Sequence, residues 1–248
     1  MLSETQVEHY RSQGYVIPDY RVPDDLLAQI RSHHADLLKA HPEFNDYCPA
    51  LLAFDTWFVG VAREPALLDM VGQLIGEDIA LWNSSFFAKP AKTGKRTPWH
   101  QDGEYWPIRP LATCSVWIAV DASTPANGAL RVLPGSHRSG ALEEHRHNAD
   151  AGLSLPLEMV QVDEDRAVDL VLEPGQISMH DVFLAHASEP NHSDNPRRGM
   201  TLRYMPTSSI YRRDLAREGN GVLAMKERTL YLMRGIDVCG KNDFLLRS

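Results

Sequence analysis

Pro98-Trp99-His100-Gln101-Asp102-Gly103, followed shortly by Ala112-Thr113-Cys114-Ser115-Val116-Trp117-Ile118-Ala119-Val120-Asp121, sets an imidazole and a carboxylate two positions apart ahead of a run rich in β-branched and aromatic residues. In an extended chain side chains alternate between faces, so His100 and Asp102 leave the same one. A histidine beside a carboxylate makes two thirds of the facial triad that holds non-haem Fe(II) and leaves coordination positions open. The spacing alone carries little information, because His34-Ala35-Asp36 repeats it. That match falls in a segment of helical periodicity, where positions two apart point about 200° apart. We expect His34 and Asp36 on a solvated helix face.

The chain has 248 residues, enough for one large domain with a sizeable core, and its 43% hydrophobic and 23% charged residues exclude disordered and fibrous classes. A net charge of −8 argues against nucleic acid or an anionic membrane surface as a partner. Met1-Leu2-Ser3-Glu4-Thr5 has neither the basic nor the apolar region of a secretory signal, and no apolar run approaches membrane-spanning length. Cys48, Cys114 and Cys239 are odd in number, widely spaced and without a CxxC pair, as expected of reduced thiols in a cytoplasmic protein.

Three helices are predicted first. Ser3 and Gln6 fit a capping box, Gly14 ends the helix they open, and a short strand, Tyr15–Ile17, follows. Pro23-Asp24-Asp25 opens a second helix with Leu26, Leu27, Ile30, Leu37 and Leu38 on one apolar face. The third runs from Pro65 to Gly76 and turns Leu67, Leu68, Val71, Leu74 and Ile75 inward. From Ile79 onward the texture is that of strands: Ile79–Ala88, Thr113–Asp121, Ala129–Leu133, Met159–Val162, Val168–Leu172, Gln176–His180, Val182–His186 and Gly199–Met205. Turn signals such as Pro134-Gly135-Ser136 and Glu173-Pro174-Gly175 separate them. Helices before a run of short strands predict an α+β, mainly β fold, a sandwich or barrel with helices packed outside. Gly140–Ser154 reads as a surface insertion, and residues 207–248 as a lid, edge strand or tail.

A third ligand must come from elsewhere in the chain. His180, His186 and His192 are spaced six apart; the last is loop-like, and periodicity does not choose between the first two. Arg197 and Arg198 begin the next strand, where a guanidinium could anchor a carboxylate in two-point fashion. A competing set, His145 and His147 with Glu143 and Glu144, is flanked by loop-forming residues. No Gly-x-Ser-x-Gly elbow and no glycine-rich phosphate loop is present.

The order His100-Gln101-Asp102, Trp117, Asn127-Gly128-Ala129-Leu130-Arg131-Val132-Leu133-Pro134-Gly135-Ser136-His137, Gly175 and His186-Ala187-Ser188-Glu189-Pro190-Asn191, followed by Arg197, resembles the phytanoyl-CoA dioxygenase family of Fe(II)- and 2-oxoglutarate-dependent oxygenases. The likeness covers residues 1–206 in organisation, and its specific part is 83–206. It implies a double-stranded β-helix (jelly roll, cupin-like) with N-terminal helices outside: a helical part at 1–76, a jelly-roll core at 79–206, and one oxygenase domain over 1–248. It also implies His186 as the distal ligand, with Ala187 in place of the usual glycine, and Arg197 as the 2-oxoglutarate anchor, with Arg198 as the adjacent register. Trp117, Gln101 and Ser85 are carried over to the co-substrate site, and Thr201 shares strand parity with Arg197. The implied chemistry consumes 2-oxoglutarate and O2, with ascorbate supportive, releases succinate and CO2, and hydroxylates a C–H bond of a small molecule. Asp102 occupies the position that related halogenases leave vacant for halide.

For the substrate, Tyr105, Trp106 and Arg109, together with the cationic loop Lys89–Arg96, are candidates for the mouth of the site; Arg212, Arg213 and Lys226 could close over it. The second reading, from a different class, is a jelly-roll metal- or ligand-binding protein or cupin-like isomerase without oxygenase turnover.

Overall fold

The computed structural model describes residues 1–216 and 224–245. Helix α1 (Glu4–Gln13) opens with the reciprocal capping box of Ser3 and Gln6 and closes where Gly14, at φ 83°, donates its N–H to the Tyr10 carbonyl. Helix α2 (Asp24–Ala40) buries Leu27, Ile30 and Leu37. A short helix α3 (Phe58–Ala62), missed by periodicity because it spans little more than one turn, precedes α4 (Pro65–Ile75), which ends at Gly76.

The strands in chain order are β1 (Tyr15–Val16), β2 (Tyr47–Cys48), β3 (Ile79–Lys89), β4 (Thr97–His100), β5 (Ile108–Arg109), β6 (Cys114–Ala119), β7 (Leu130–Val132) and β8 (His145–His147). After them come β9 (Leu157–Met159), β10 (Val168–Leu170), β11 (Ile177–Asp181), β12 (His186–Ser188), β13 (Arg197–Pro206), β14 (Ile210–Tyr211) and β15 (Tyr231–Arg234). A large sheet has the order β1-β11-β6-β13-β3-β15, with β2 also on β3; a smaller one has the order β10-β7-β12-β4. Their strand pairings are all antiparallel.

Period-2 alternation sorts the large sheet into two layers. Cys114, Val116 and Ile118 of β6 and Met200, Leu202 and Tyr204 of β13 join one apolar core with Ile30, Phe58, Leu67 and Val71 of the helices. Each such side chain contributes about 1.5–3 kcal/mol on burial, so this outer face is what fixes the register. The opposite residues face the smaller sheet: Trp117 and Ala119 pack with Leu130 and Val132. One residue of β3, Trp82, is extra, since pairing jumps from Arg203–Asn83 to Tyr204–Leu81. This bulge lets Ile79 and Leu81 share the helix-facing core with Phe86 despite their odd and even numbers.

Several expectations are corrected. The strand expected over Val182–His186 begins only at His186, because the Asp181 carboxylate accepts the Phe183 N–H and turns the chain. The strand expected at Met159–Val162 lies earlier, as β9, and pairs with β8 inside the segment read as an insertion. In the C-terminal part, β14 pairs with β5 and β15 forms an edge on β3; positions 217–223 and 246–248 lie outside the described residues. His34 is not on a solvated face: it is 1% exposed, and its ring lies 4.1 Å from that of Phe86. It follows Ile30 by four residues and precedes Leu37 by three, which places it on the buried stripe. Asp36 is exposed and pairs with Lys39 at 2.7 Å.

Burial, aided by the Arg198 charge, lowers the His34 pKa to about 4. Folded His34 therefore stays neutral where the histidine of an unfolded chain takes up a proton, so stability falls as pH drops from about 6.5 to about 4. His34→Leu is expected to remove roughly 3 kcal/mol of that loss at pH 4, measured by urea unfolding at pH 7 and pH 4. An unchanged pH slope would contradict it.

Candidate metal centre

The site lies where the two sheets face each other. On the smaller sheet His100 ends β4 and His186 begins β12, and the two are direct cross-strand partners with ring centroids 4.1 Å apart. Gln101 is still extended, and Asp102 starts a 3-10 turn. The expected shared face for His100 and Asp102 survives this turn, with Nε2 of His100 3.8 Å from Oδ1 of Asp102. His186 Nε2 lies 4.0 Å from the same oxygen. Among the described residues, His100, Asp102 and His186 form the one cluster whose ligand atoms all lie within 4.8 Å of one another, and all three are buried. The competing set around His145 does not converge in this way.

The imidazoles are oriented by backbone. His100 Nδ1 donates to the Pro98 carbonyl at 2.8 Å and His186 Nδ1 to the Leu184 carbonyl at 2.9 Å. A carbonyl can only accept, so Nδ1 carries the proton and each Nε2 presents a lone pair inward. Burial lowers both histidine pKa values, against the pull of Asp102, and keeps the rings neutral. Burial alone would raise Asp102, but the Arg203 charge, then His180, His186 and His100, hold its carboxyl far below the usual range. Two neutral imidazole nitrogens and a carboxylate oxygen are the donor set suited to Fe(II). His180, on β11 of the facing sheet, brings Nε2 to 3.5 Å from Asp102 Oδ2, and neither of its ring nitrogens makes a hydrogen bond among the described residues.

These groups open into a cavity that is also lined by Trp117, Arg197, Thr201 and Arg203. Arg197 is 2% exposed and donates to the carbonyls of Gly128 and Phe87. It pairs with no carboxylate among the described residues, and burial lowers its pKa to about 9. Its guanidinium lies 5.4 Å from the centre of the Trp117 ring. Gly199 makes this arrangement possible, because a Cβ there would collide with the Trp117 indole. Arg198 points elsewhere, in a two-point pair with Asp121 at 2.8 Å for both contacts.

Two expected co-substrate contacts have other roles here. Gln101 does not line the cavity: with its neighbours facing inward, alternation sends its amide the other way. There Nε2 donates to the carbonyls of Phe183 (2.7 Å) and Ala141 (3.2 Å), and Oε1 accepts the Glu143 N–H (2.7 Å). Ser85 accepts from Arg203 at 2.9 Å and donates to the Pro49 carbonyl. Thr201 lies in the cavity wall and donates to the Ser85 carbonyl at 3.4 Å. The cationic loop is largely neutralised: Lys92 pairs with Asp194, Arg96 with Glu158, and Lys89 is buried, pushed down to about 6 by desolvation, and donates to the Lys95 carbonyl. Arg109 is turned back onto the carbonyls of Trp106 and Ile108. The residue missed was Arg203, whose Nη2 lies 3.8 Å from Asp102 Oδ1. Its parity with Arg197, Gly199 and Thr201 along β13 was the available signal.

A family model described as phytanoyl-CoA dioxygenase matches residues 1–199. A "probable phytanoyl-CoA dioxygenase" of Caenorhabditis elegans is 27% identical over 236 residues, covering 82% of this chain and 75% of the worm protein. A "probable alpha-ketoglutarate-dependent hypophosphite dioxygenase" of Stutzerimonas stutzeri is 32% identical over 150 residues, covering 58% of this chain; the chain spans about half, 51%, of that relative. Among solved structures, the nickel complex of the non-heme monooxygenase ThoJ superposes with a TM-score of 0.75 at 26% identity, covering 98% of this chain and 89% of that one.

The amide of Gln101 ties the ligand-bearing turn to the loop that leads into β12. Gln101→Leu is expected to lower the unfolding free energy by about 1–3 kcal/mol, read from urea denaturation of the metal-free protein. A loss below about 0.5 kcal/mol would show that these three hydrogen bonds are replaced by water.

Proposed function

The chain belongs to the phytanoyl-CoA dioxygenase family, and we propose that it hydroxylates a C–H bond of a small molecule with iron held by His100, Asp102 and His186 and 2-oxoglutarate held by Arg197. It is an Fe(II)- and 2-oxoglutarate-dependent dioxygenase acting on a small molecule. Fe(II) held there would supply the redox chemistry by which a substrate C–H, O2 and 2-oxoglutarate become an alcohol, succinate and CO2. The observation that supports this assignment most directly is the buried convergence of three donor atoms within 4.8 Å, in one cavity with an arginine that pairs with no carboxylate among the described residues.

The residues divide the work. His100 and His186 arrive neutral and already oriented, and Asp102 arrives ionised, so metal binding at neutral pH needs little proton release. Arg197 gives N–H groups to the Gly128 and Phe87 carbonyls and, at 3.4 Å, to Ser188 Oγ, which leaves one N–H on Nη1 for a distal carboxylate. Trp117 walls that end against water. The two facing antiparallel sheets support a double-stranded β-helix within one domain covering 1–248. The free thiols Cys48, Cys114 and Cys239 fit a reducing cytoplasmic setting. Among the described residues no helix is long and apolar enough to cross a membrane.

Succinate formation from 2-oxoglutarate, followed with anaerobic Fe(II) titration, tests the assignment. Asp102→Ala is expected to abolish both metal retention and succinate release. Arg197→Gln should raise the 2-oxoglutarate concentration for half-saturation roughly 100-fold, and Arg198→Gln by less than about threefold. The opposite order for the two arginines would overturn the anchor.

A further inference from the structure

A second cavity meets the first at Phe87, Asp102 and Arg203. We propose that it is the substrate pocket and that it takes a small acid whose oxyanion group sits between Arg203 and Arg228. This rests on the dioxygenase reading only in that Asp102 marks where the reacting C–H must lie.

Both guanidiniums are buried, Arg203 at 5% and Arg228 at 7% exposure, and both line this cavity. Neither Nε has a hydrogen-bond partner among the described residues. Among the described residues the Arg203 side chain donates only to Ser85 Oγ, at 2.9 Å. The Arg228 side chain makes no hydrogen bond or ion pair among the described residues and lies 5.9 Å from the centre of the Trp82 ring. Burial lowers the Arg228 pKa, and Arg203 acts on it as a like charge. Taking two like charges out of water is strongly unfavourable unless an anion compensates them. The carboxylate within 4 Å of Arg203 is Asp102, which the metal claims. Among the described residues no second carboxylate meets these two guanidiniums, a balance that an anionic ligand would complete.

The rest of the cavity describes the other end of the ligand. Phe87, Trp106, Leu155 and Met225 give it apolar walls. These walls lie beside the two guanidiniums, so the part of the ligand next to its oxyanion is apolar. Arg197 belongs to the first cavity and does not line this one, which separates this oxyanion from the 2-oxoglutarate carboxylate.

Tryptophan fluorescence of the full chain, loaded anaerobically with Fe(II) and saturating 2-oxoglutarate, reads binding without turnover. The probes are straight-chain carboxylates from acetate to hexanoate, the matching alkylphosphonates, and the matching neutral amides. In the wild type at least one acid should bind roughly 10–100-fold tighter than its amide, and whether carboxylate or phosphonate leads identifies the headgroup. Arg228→Gln should erase that preference and Arg228→Lys should restore part of it. Affinity for 2-oxoglutarate should fall in Arg197→Gln and not in Arg228→Gln. Amides binding as well as acids throughout, a preference that survives Arg228→Gln, or 2-oxoglutarate lost with Arg228 rather than Arg197 would each overturn the proposal. Acids preferred by a wild type that binds no 2-oxoglutarate would overturn the oxygenase reading and support the oxyanion pocket.

Discussion

The structure turns on one buried negative charge. The Asp102 carboxylate is 4% exposed, and a carboxylate so placed persists only if positive or donor groups meet it from several sides. From the larger sheet the Arg203 guanidinium at 3.8 Å and the Ser115 hydroxyl at 3.4 Å meet it, with His180 Nε2 3.5 Å away. His100 and His186 of the smaller sheet turn lone pairs toward the same space, where a metal cation would complete the balance. Both sheets must hold their register for these groups to converge, because a slip of one residue would send each side chain to the opposite face. The helix-facing core supplies that register, since residues of β6 and β13 that point away from the site fill the layer under α2, α3 and α4. Packing energy on one face of the sheet is thereby spent on geometry at the other.

The same logic separates what the residues disclosed from what they withheld. Signals carried by neighbours in sequence were legible: the capping box of α1, the proline and glycine bounding α4, and the alternation of β6 and β13. For His34 the relation to Asp36 says nothing of burial, whereas its spacing from Ile30 and Leu37 puts it on the inward stripe. The strand before His186 was drawn too early because its apolar residues mark burial in a turn rather than pairing in a ladder; Val182, Leu184 and Ala185 are all buried.

At the site, the metal-ligand candidates were recoverable because His100 and Asp102 are close in sequence and the family resemblance supplied His186. Gln101 and Ser85 were assigned to the co-substrate by position, while their polar atoms serve the chain itself, holding a loop and orienting Arg203. Arg228 had no signal at all. It reaches the cavity from beyond residues 217–223, and no periodic pattern links it to Asp102. Contacts between distant segments carry no spacing rule, and that is where substrate recognition lies in this protein.

The alternation along β13 has a consequence for descent. Arg197, Gly199, Thr201 and Arg203 occupy successive inward positions, while Met200, Leu202 and Tyr204 carry the packing on the other face. Arg203 is tied to the metal centre through Asp102, so one recognised chemical group can be exchanged for another at Arg228, off this strand, without disturbing the helix-facing core, Asp102 or the arginine at the strand's beginning. A lineage built on such a strand inherits its reaction and its scaffold together, and is free to diverge in what it reacts upon.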